Sequence, residues 1–262
     1  ILTRGYKRST KERLYILGDI LEARLAGDEP ALMAAHLPDI PIVIHKNRVE
    51  SAKEIGGGKK RIFILDDGFQ HLKLRREADI VLLPAKDPFS GGHFFPLGRL
   101  RDGLWRLEEA DAIILVGDSD EIPFEIKHLK NRIYHATKKT TDLFTLDRIK
   151  IPIEAITKQR VLTFSAIGAP ESFQKTVQEL GAEVVAMKNF RDHHQFKIAD
   201  IHAIESLAEA HRTDILITTE KDAVRLAGIK PRLTTYFVRI EFAPENPENL
   251  INTIKESISK EV

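Results

Sequence analysis

Short apolar runs that alternate with helical segments constrain the fold of this chain more than any other feature of its sequence. The runs are rich in Val, Ile and Leu and lie at residues 41–44, 61–65, 80–83, 112–116, 161–164, 183–187, 215–218 and 236–240. Apolar residues at helical spacing lie at residues 30–37, 49–55, 170–180, 201–210 and 250–258. Strands of this composition separated by helices are typical of a parallel sheet covered on both faces. The sequence therefore predicts an α/β fold.

The length of the chain allows two domains. It has 262 residues, 42% of them hydrophobic, which is enough for one large or two moderate cores. The runs at 133–138 and 142–146 flank Lys139-Thr140-Thr141 and are predicted to form a two-stranded hairpin. We therefore expect a core domain at 1–131, a two-stranded linker at 132–147 and a smaller α/β domain at 148–262, whose C-terminal helix can return to the core.

Composition excludes several classes of function. The 40 Lys and Arg residues balance 39 Asp and Glu residues, so no global field favours nucleic acid and any anion site must be local. The absence of cysteine excludes disulfides, thiolate zinc sites and a thiol nucleophile. No apolar run approaches the roughly 18 residues that span a bilayer, and no signal peptide is visible in the sequence.

Two adjacent carboxylates, Asp66 and Asp67, end the apolar run at 61–65. In an open α/β sheet, ligands bind at the carboxyl ends of the strands. Carboxylate oxygens at that place suit Mg²⁺ beside a phosphate, because Mg²⁺ is held by one or two carboxylates and keeps several waters. The alternative is that one of the two aspartates caps the following turn.

Two further polar stretches each allow two interpretations. Gly27-Asp28-Glu29-Pro30 has the composition of an ordinary helix start, with Gly27 in a turn, Asp28 as the N-cap and Pro30 in the first turn. Alternatively, Asp28 and Glu29 could join the acidic pair in binding metal and transferring a proton. Asp192-His193-His194 is either a polar loop with a capping Asp or the source of a histidine that a carboxylate tunes as a general base.

Two further stretches have some features of nucleotide-binding sites. Gly56–Lys60 lacks the GxxxxGK[ST] pattern and precedes a strand, so it is interpreted as a surface turn. Thr218–Asp222 follows a strand and opens a helix. Thr219 is expected to cap that helix with Glu220 and Asp222 in its first turn, and Lys221 could alternatively contact a nucleotide.

A long irregular segment, 86–108, is rich in glycine, aromatic residues and arginine. Loops of this length inside compact domains are often functional. Arg99 and Arg101 could bind a phosphate, and the neighbouring Phe and Trp residues could enter a membrane interface. The alternative is a surface loop without a function.

In this order, the motifs resemble those of the tetraacyldisaccharide 4′-kinases of lipid A biosynthesis. The matching stretches are Arg4-Gly5-Tyr6, Gly27-Asp28-Glu29-Pro30, Asp66-Asp67-Gly68-Phe69-Gln70-His71, Pro96 to Arg101, Phe164 to Gly168, Asp192-His193 and Thr218 to Asp222. The resemblance covers residues 1 to about 226, and Asp-Asp-Gly-Phe-Gln-His is its most specific single motif.

The resemblance implies a Rossmann-like P-loop kinase core, a smaller α/β domain and a two-stranded linker. It implies transfer of the γ-phosphoryl group of ATP, with Mg²⁺, to the 4′-hydroxyl of a tetraacylated glucosamine disaccharide 1-phosphate. Asp28 and His193 would be catalytic. Asp66, Asp67 and Lys221 would bind the nucleotide, and Asp66, Asp67 and Glu29 would hold the metal. Arg4, Gln70, His71, Arg99 and Arg101 would bind the substrate.

The resemblance also implies a peripheral protein on the cytoplasmic face of the bacterial inner membrane. Its partners would be the lipid disaccharide and the membrane surface, and we expect a monomer that binds no nucleic acid.

The sequence departs from the family in two places. The family's Walker A loop would lie upstream of Ile1, and Ile1-Leu2-Thr3 begins in mid-strand, so we expect a fragment that is inactive alone. The segment Phe95–Gly103 retains Arg101 in altered surroundings. Two alternatives remain: a non-catalytic nucleotide- or lipid-binding relic without the P-loop, and an unrelated two-domain α/β protein such as a sugar-nucleotide binder.

Overall fold

The structure is a computed structural model that describes residues 1–5, 12–16, 23–56, 61–98, 100–226 and 228–259. These residues form two compact units. The first unit comprises Ile1–Asp66 and Thr140–Ile240, and the second comprises Asp67–Lys139 and Glu241–Val262. The expected division at residues 132–147 stays a prediction.

The strands and helices follow one another in the α/β order that the sequence predicts. The strands are β1 (Leu2–Thr3), β2 (Leu14–Ile16), β3 (Ile42–Ile44), β4 (Ile80–Pro84), β5 (Ala112–Val116), β6 (Ile133–Thr145), β7 (Lys150–Ile151), β8 (Arg160–Ser165), β9 (Glu183–Asn189), β10 (Ile215–Thr219) and β11 (Thr234–Pro244). The α-helices are α1 (Ala23–Ala26), α2 (Asp28–His36), α3 (Arg48–Gly56), α4 (Pro170–Glu179), α5 (Ile198–Ala210), α6 (Glu220–Leu226) and α7 (Pro247–Ser259). Short 3₁₀ turns lie at Ser90–Gly92, Leu104–Glu109, Phe124–Arg132 and Ile153–Ala155.

The first unit contains a small sheet and a larger set of parallel strands. The small sheet has the order β1-β3-β2, with β1 parallel and β2 antiparallel to β3. The larger set has the order β11-β10-β8-β9, and each neighbouring pair is parallel. Helices α5 and α6 bury apolar side chains against β8 and β10, in a core formed by Leu162, Phe164, Ala166, Phe196, Ile201, Ile204, Ala208, Leu216 and Leu226.

Helix α2 packs on α6 and on the small sheet through short side chains. Ala31 and Ala34 are buried, and they share a cluster with Val224 of α6 and with Ile42 and Ile44 of β3. Alanines at i and i+3 lie on one face of a helix, so the two helix backbones can approach closely there. This packing fixes the position of α2, whose first turn carries Asp28.

The second unit is built on three parallel strands in the order β4-β5-β6. Strand β5 is almost entirely buried, as expected for a continuous apolar run in the middle of a parallel sheet. Its side chains pack on one face with Ala85, Phe89, Leu107, Ala110 and Ile126, and on the other with Leu250 of α7. No described helix is both long and apolar enough to cross a membrane.

Two sequence-based expectations about strands are wrong. Residues 61–65 do not form a regular strand: the segment pairs with β1 only near its end, where Leu2 bridges Leu65, and Ile62 and Ile64 are exposed. The expected hairpin at 133–138 and 142–146 is one continuous strand, β6. Lys139-Thr140-Thr141 contains none of the Gly, Asn or Asp residues that tight hairpin turns favour, and Thr suits an extended backbone.

Candidate active site

Helix α2 begins at a glycine that sets the direction of Asp28. Gly27 has φ of 88°, which a residue with a side chain rarely adopts, and its carbonyl accepts a hydrogen bond from the backbone N–H of Ala31 at 3.1 Å. Asp28 is therefore the first helical residue, and the interpretation of Asp28 as the helix cap is wrong. Its carboxylate lies where the helix dipole favours negative charge, and its hydrogen bonds go to other elements.

His193 reaches Asp28 from the loop between β9 and α5. Its Nδ1 lies 3.1 Å from Oδ2 of Asp28, across 165 positions of sequence. The His193 backbone has φ of 63°, the left-handed region, and its N–H donates to the carbonyl of Ala166 at 3.2 Å. A non-glycine residue held in this conformation is often found at functional sites. The structure thus brings together the two residues that the resemblance implies are catalytic.

Arg225 of α6 completes this cluster, and the sequence analysis missed it. Its side chain is fully buried, and its Nε and Nη2 donate to Oδ2 of Asp28 at 2.8 and 2.6 Å. Nη1 donates to Oδ1 of Asp222 at 2.8 Å and to the carbonyl of Ala166 at 2.7 Å. The only sequence signal was the spacing of Asp222 and Arg225, which also describes an ordinary surface ion pair on a helix.

The charges of this cluster favour an ionised Asp28. Burial opposes ionisation, but hydrogen bonds from Arg225 and His193, together with the positive charges of Arg225 and Lys221, hold the pKa of Asp28 below its ordinary value. Asp222 differs, because burial raises its pKa despite hydrogen bonds from Ala166, Thr219 and Arg225.

The start of α6 is capped as the sequence predicts. Thr219 accepts a hydrogen bond from the backbone N–H of Asp222 at 3.1 Å, and its hydroxyl donates to Oδ2 of Asp222 at 2.8 Å. Lys221, the proposed nucleotide contact, places its Nζ 4.0 Å from Oε1 of Glu29. Both flank Asp28, since Glu29 follows it on α2 and the charge of Lys221 acts on its carboxyl group.

Glu220 is a second charged centre that the sequence did not reveal. Its Oε1 lies 2.8 Å from Nε2 of His36, 3.1 Å from Nη2 of Arg239 and 3.3 Å from Nη1 of Arg148. Burial opposes ionisation of Glu220, but His36 and Arg239 outweigh it and lower its pKa. Glu220 therefore does more than complement the helix dipole: it ties α6 to the last turn of α2.

Asp66, the first of the acidic pair, is held firmly within the first unit. The hydroxyl of Thr3 donates to Oδ2 of Asp66 at 2.7 Å. The backbone N–H of Asp66 donates to the carbonyl of Leu2 at 3.0 Å, and the backbone carbonyl of Asp66 accepts from Nη1 of Arg48 at 2.7 Å. Asp67 opens the second unit with φ of 48° and an exposed side chain. Among the described residues no group of three or more acidic or histidine side chains is placed to hold a metal, so Asp66, Asp67 and Glu29 are not shown as one site.

The predicted substrate contacts are spread over both units. Arg4 is exposed in the first unit, and Gln70 and Arg101 are exposed in the second, where His71 is half-buried. Arg99 lies outside the described residues. Arg106 of this loop is buried, and its guanidinium lies 5.2 Å from the ring centroid of Phe69.

Comparison with a solved structure defines the class of protein. The fold matches the crystal structure of LpxK from Aquifex aeolicus in complex with ATP, with a TM-score of 0.75 and 28% identity over 98% of this chain and 78% of that chain. The fold is thus that of a P-loop kinase. The family description tetraacyldisaccharide-1-P 4′-kinase (LpxK) matches residues 1–259, and the chain belongs to this family.

Curated relatives carry the same name over most of this chain. The tetraacyldisaccharide 4′-kinase of Elusimicrobium minutum is 34% identical over 242 residues, which cover 86% of this chain and 64% of that protein. The enzyme of the same name from Syntrophus aciditrophicus is 33% identical over 267 residues, which cover 92% of this chain and 70% of that protein. The chain thus spans somewhat less than two thirds of the first relative's length.

Proposed function

We propose that the protein transfers the γ-phosphoryl group of ATP to the 4′-hydroxyl of a tetraacylated glucosamine disaccharide 1-phosphate, a step of lipid A biosynthesis. Family membership, the relatives' shared name and the ATP-bound LpxK structure support this reaction. The observation that carries it is the pair of Asp28 and His193, 3.1 Å apart, within the residues that match the family.

In this reaction the 4′-oxygen forms a bond to the γ-phosphorus, the bond from that phosphorus to the β–γ bridging oxygen breaks, and ADP leaves. The hydroxyl proton must go to a base. Phosphoryl transfer depends mainly on positioning and on charge stabilisation, so the carboxylate of Asp28 orients the hydroxyl and accepts its proton. His193 helps to hold this carboxylate through its Nδ1, 3.1 Å from Oδ2.

We propose that Asp66, with Asp67, binds Mg²⁺. Thr3 donates to Oδ2 of Asp66, which orients the carboxylate while its second oxygen stays suitable for a metal or a metal-bound water. This donor set fits Mg²⁺, which is usually bound by one or two carboxylates, waters and substrate phosphates. When bound, the ion neutralises charge on the phosphates. We propose Glu29 and Lys221 as further contacts of the metal and nucleotide.

The second unit offers the surface for the lipid. Phe95, Leu97 and Trp105 expose 80%, 88% and 63% of their surface area. Arg101, which lies between Leu97 and Trp105 in the sequence, is also exposed. Aromatic and aliphatic side chains flanked by arginine suit the boundary between lipid headgroups and acyl chains. We propose that the protein acts as a monomer at the cytoplasmic face of the inner membrane, with Arg4, Gln70, His71 and Arg101 directed to the disaccharide and its phosphate.

The test is a transfer assay with the protein expressed from its complete coding sequence. Incubation with ATP, Mg²⁺ and the disaccharide 1-phosphate should yield a product with one additional phosphoryl group, identified by mass spectrometry, and an acceptor without its 4′-hydroxyl should yield none. Binding of ATP or lipid without any transfer would support the non-catalytic alternative instead.

A further inference from the structure

Arg225 makes contacts that exceed those of an ordinary helix cross-link. Three of its nitrogens contact Asp28, Asp222 and the carbonyl of Ala166 at 2.6 to 2.8 Å, and Nη2 also lies 3.1 Å from Nδ1 of His193. The guanidinium is planar and presents its donors in a fixed fork, so these contacts leave it one orientation.

The way in which Arg225 binds Asp28 is asymmetric. Both of its donors, and Nδ1 of His193, are directed to the same oxygen, Oδ2. Among the described residues, Oδ1 of Asp28 has no hydrogen-bond partner. A carboxylate that binds a guanidinium side by side would use both of its oxygens. Within the part of the chain that the structure describes, Oδ2 therefore makes all of the hydrogen bonds of this carboxylate and Oδ1 makes none.

We propose that Arg225 is a positioning residue for the reaction proposed above: it holds Oδ2 of Asp28 and leaves Oδ1 of the same carboxylate to the acceptor hydroxyl. Its positive charge lies against this carboxylate, with Nη2 2.6 Å from Oδ2. Nδ1 of His193 lies 3.1 Å from both Oδ2 of Asp28 and Nη2 of Arg225, so the three side chains contact one another.

Asp222 and Ala166 hold Arg225 in place. Asp222 is fully buried and accepts from Arg225, Thr219 and the backbone N–H of Ala166. The carbonyl of Ala166 accepts from Arg225 and from the backbone N–H of His193. One peptide group at the end of β8 therefore aligns both partners of Asp28.

Several charged groups surround Asp28. Arg225 and Lys221 face it from α6, and His193 faces it from the loop after β9. Glu29 is its neighbour on α2, and Asp192 lies near the far side of His193, with Oδ2 3.7 Å from Nε2. Arg225 has the closest contacts of this set, so its removal should change the orientation of the Asp28 carboxylate most.

The experiment compares Arg225→Met and Arg225→Lys with the matched control Arg232→Met. Arg232 also pairs with a buried carboxylate, with its Nε 3.0 Å from Oε2 of Glu205, and its described partners are Glu205 and Glu209. Because Arg225 is fully buried and Arg232 is largely exposed, activities are compared after correction for the folded fraction. Circular dichroism gives the folded fraction of each variant.

The first readout does not require activity. Crystal structures of the variants give the orientation of the Asp28 carboxylate. In Arg225→Met the carboxylate should leave the position in which its Oδ2 lies 3.1 Å from Nδ1 of His193. Arg225→Lys should retain this position in part, and Arg232→Met should match the wild-type protein.

The second readout is the comparison of kcat with KM. In Arg225→Met the kcat should fall about 10²-fold, the lower range for a positioned base, with little change in KM for ATP, because the base loses its position while nucleotide binding is kept. Arg225→Lys should recover part of the loss and serves as the test if Arg225→Met does not fold.

An unchanged orientation of the Asp28 carboxylate, with kcat reduced only in proportion to the folded fraction, would show that Arg225 is a structural cross-link and would overturn the proposal. A wild-type protein without kinase activity would instead contradict the proposed function, and the carboxylate orientation in Arg225→Met would still decide the role of Arg225.

Discussion

His36 and Glu220 join the last turn of α2 to the first turn of α6, with Nε2 of His36 2.8 Å from Oε1 of Glu220. At the other end of α2, Asp28 bonds to Arg225 in the last turn of α6. The two helices are therefore linked by hydrogen-bonded charged groups at both ends of α2, and the alanines of α2 pack against α6 between these links. The position of Asp28 depends on this pair of contacts as well as on its own helix.

Replacement of Glu220 by glutamine should destabilise the protein by about 1–3 kcal/mol at neutral pH, because hydrogen bonds between charged groups are lost. The pKa of Glu220 is lowered in the folded state, so its contribution is present above the ordinary glutamate pKa and is lost as the pH falls through the folded value. Urea unfolding at neutral and acidic pH measures this difference. The difference in unfolding free energy between Glu220→Gln and the wild-type protein should be smaller at acidic pH. The control Glu256→Gln, at an exposed position, should differ little from the wild-type protein at either pH. An equal gap at both pH values would contradict the assignment.

Removal of the Thr3 hydroxyl should weaken metal use. Thr3→Val keeps the shape of the side chain but removes the donor to Oδ2 of Asp66. Residues that orient a metal ligand typically contribute about 10-fold or more in affinity or activity, so half-maximal activity should require about 10-fold more Mg²⁺. Thr235→Val is the control, since that hydroxyl is equally confined and donates to a carbonyl elsewhere. An unchanged Mg²⁺ requirement in Thr3→Val would contradict the proposal that Asp66 binds the metal.

The packing between α2 and α6 should not tolerate a larger side chain at Ala31. This residue is fully buried against a cluster that includes Val224. Ala31→Leu should cost about 1–3 kcal/mol of unfolding free energy, because added methylene groups force neighbours out of their rotamers. Ala203→Leu, at an exposed position of α5, should change stability little. Equal stability of both variants would contradict the close packing.

Local structure could be predicted where the sequence pattern alone decides it. Strand β5 occupies the predicted residues 112–116, and α4 begins at the predicted Pro170. The apolar run and the proline at a helix start are local signals that burial only strengthens. The run at 61–65 was misjudged because pairing near Leu2 is too short to complete a regular strand.

The candidate site could be predicted only in part. Asp28 and His193 were named because their motifs match the family in order, since no local pattern connects residues 165 positions apart. Arg225 was missed because complete burial of an arginine follows from tertiary packing. Asp28 and Asp222 form ion pairs with Arg225, and these pairs offset the cost of burying its charge. Glu220 was taken as a helix-dipole partner for the same reason.

Asp28→Asn tests the central claim most directly, in the protein expressed from its complete coding sequence. Asparagine keeps the size of the side chain and one oxygen but cannot accept a proton, and Asp39→Asn, at an exposed position beyond α2, is the matched control. The rate of phosphoryl transfer from ATP to the lipid disaccharide should fall by about 10²- to 10⁴-fold in Asp28→Asn, with ATP affinity close to that of the wild-type protein and Asp39→Asn unaffected. A transfer rate in Asp28→Asn equal to that of the wild-type protein would contradict the account.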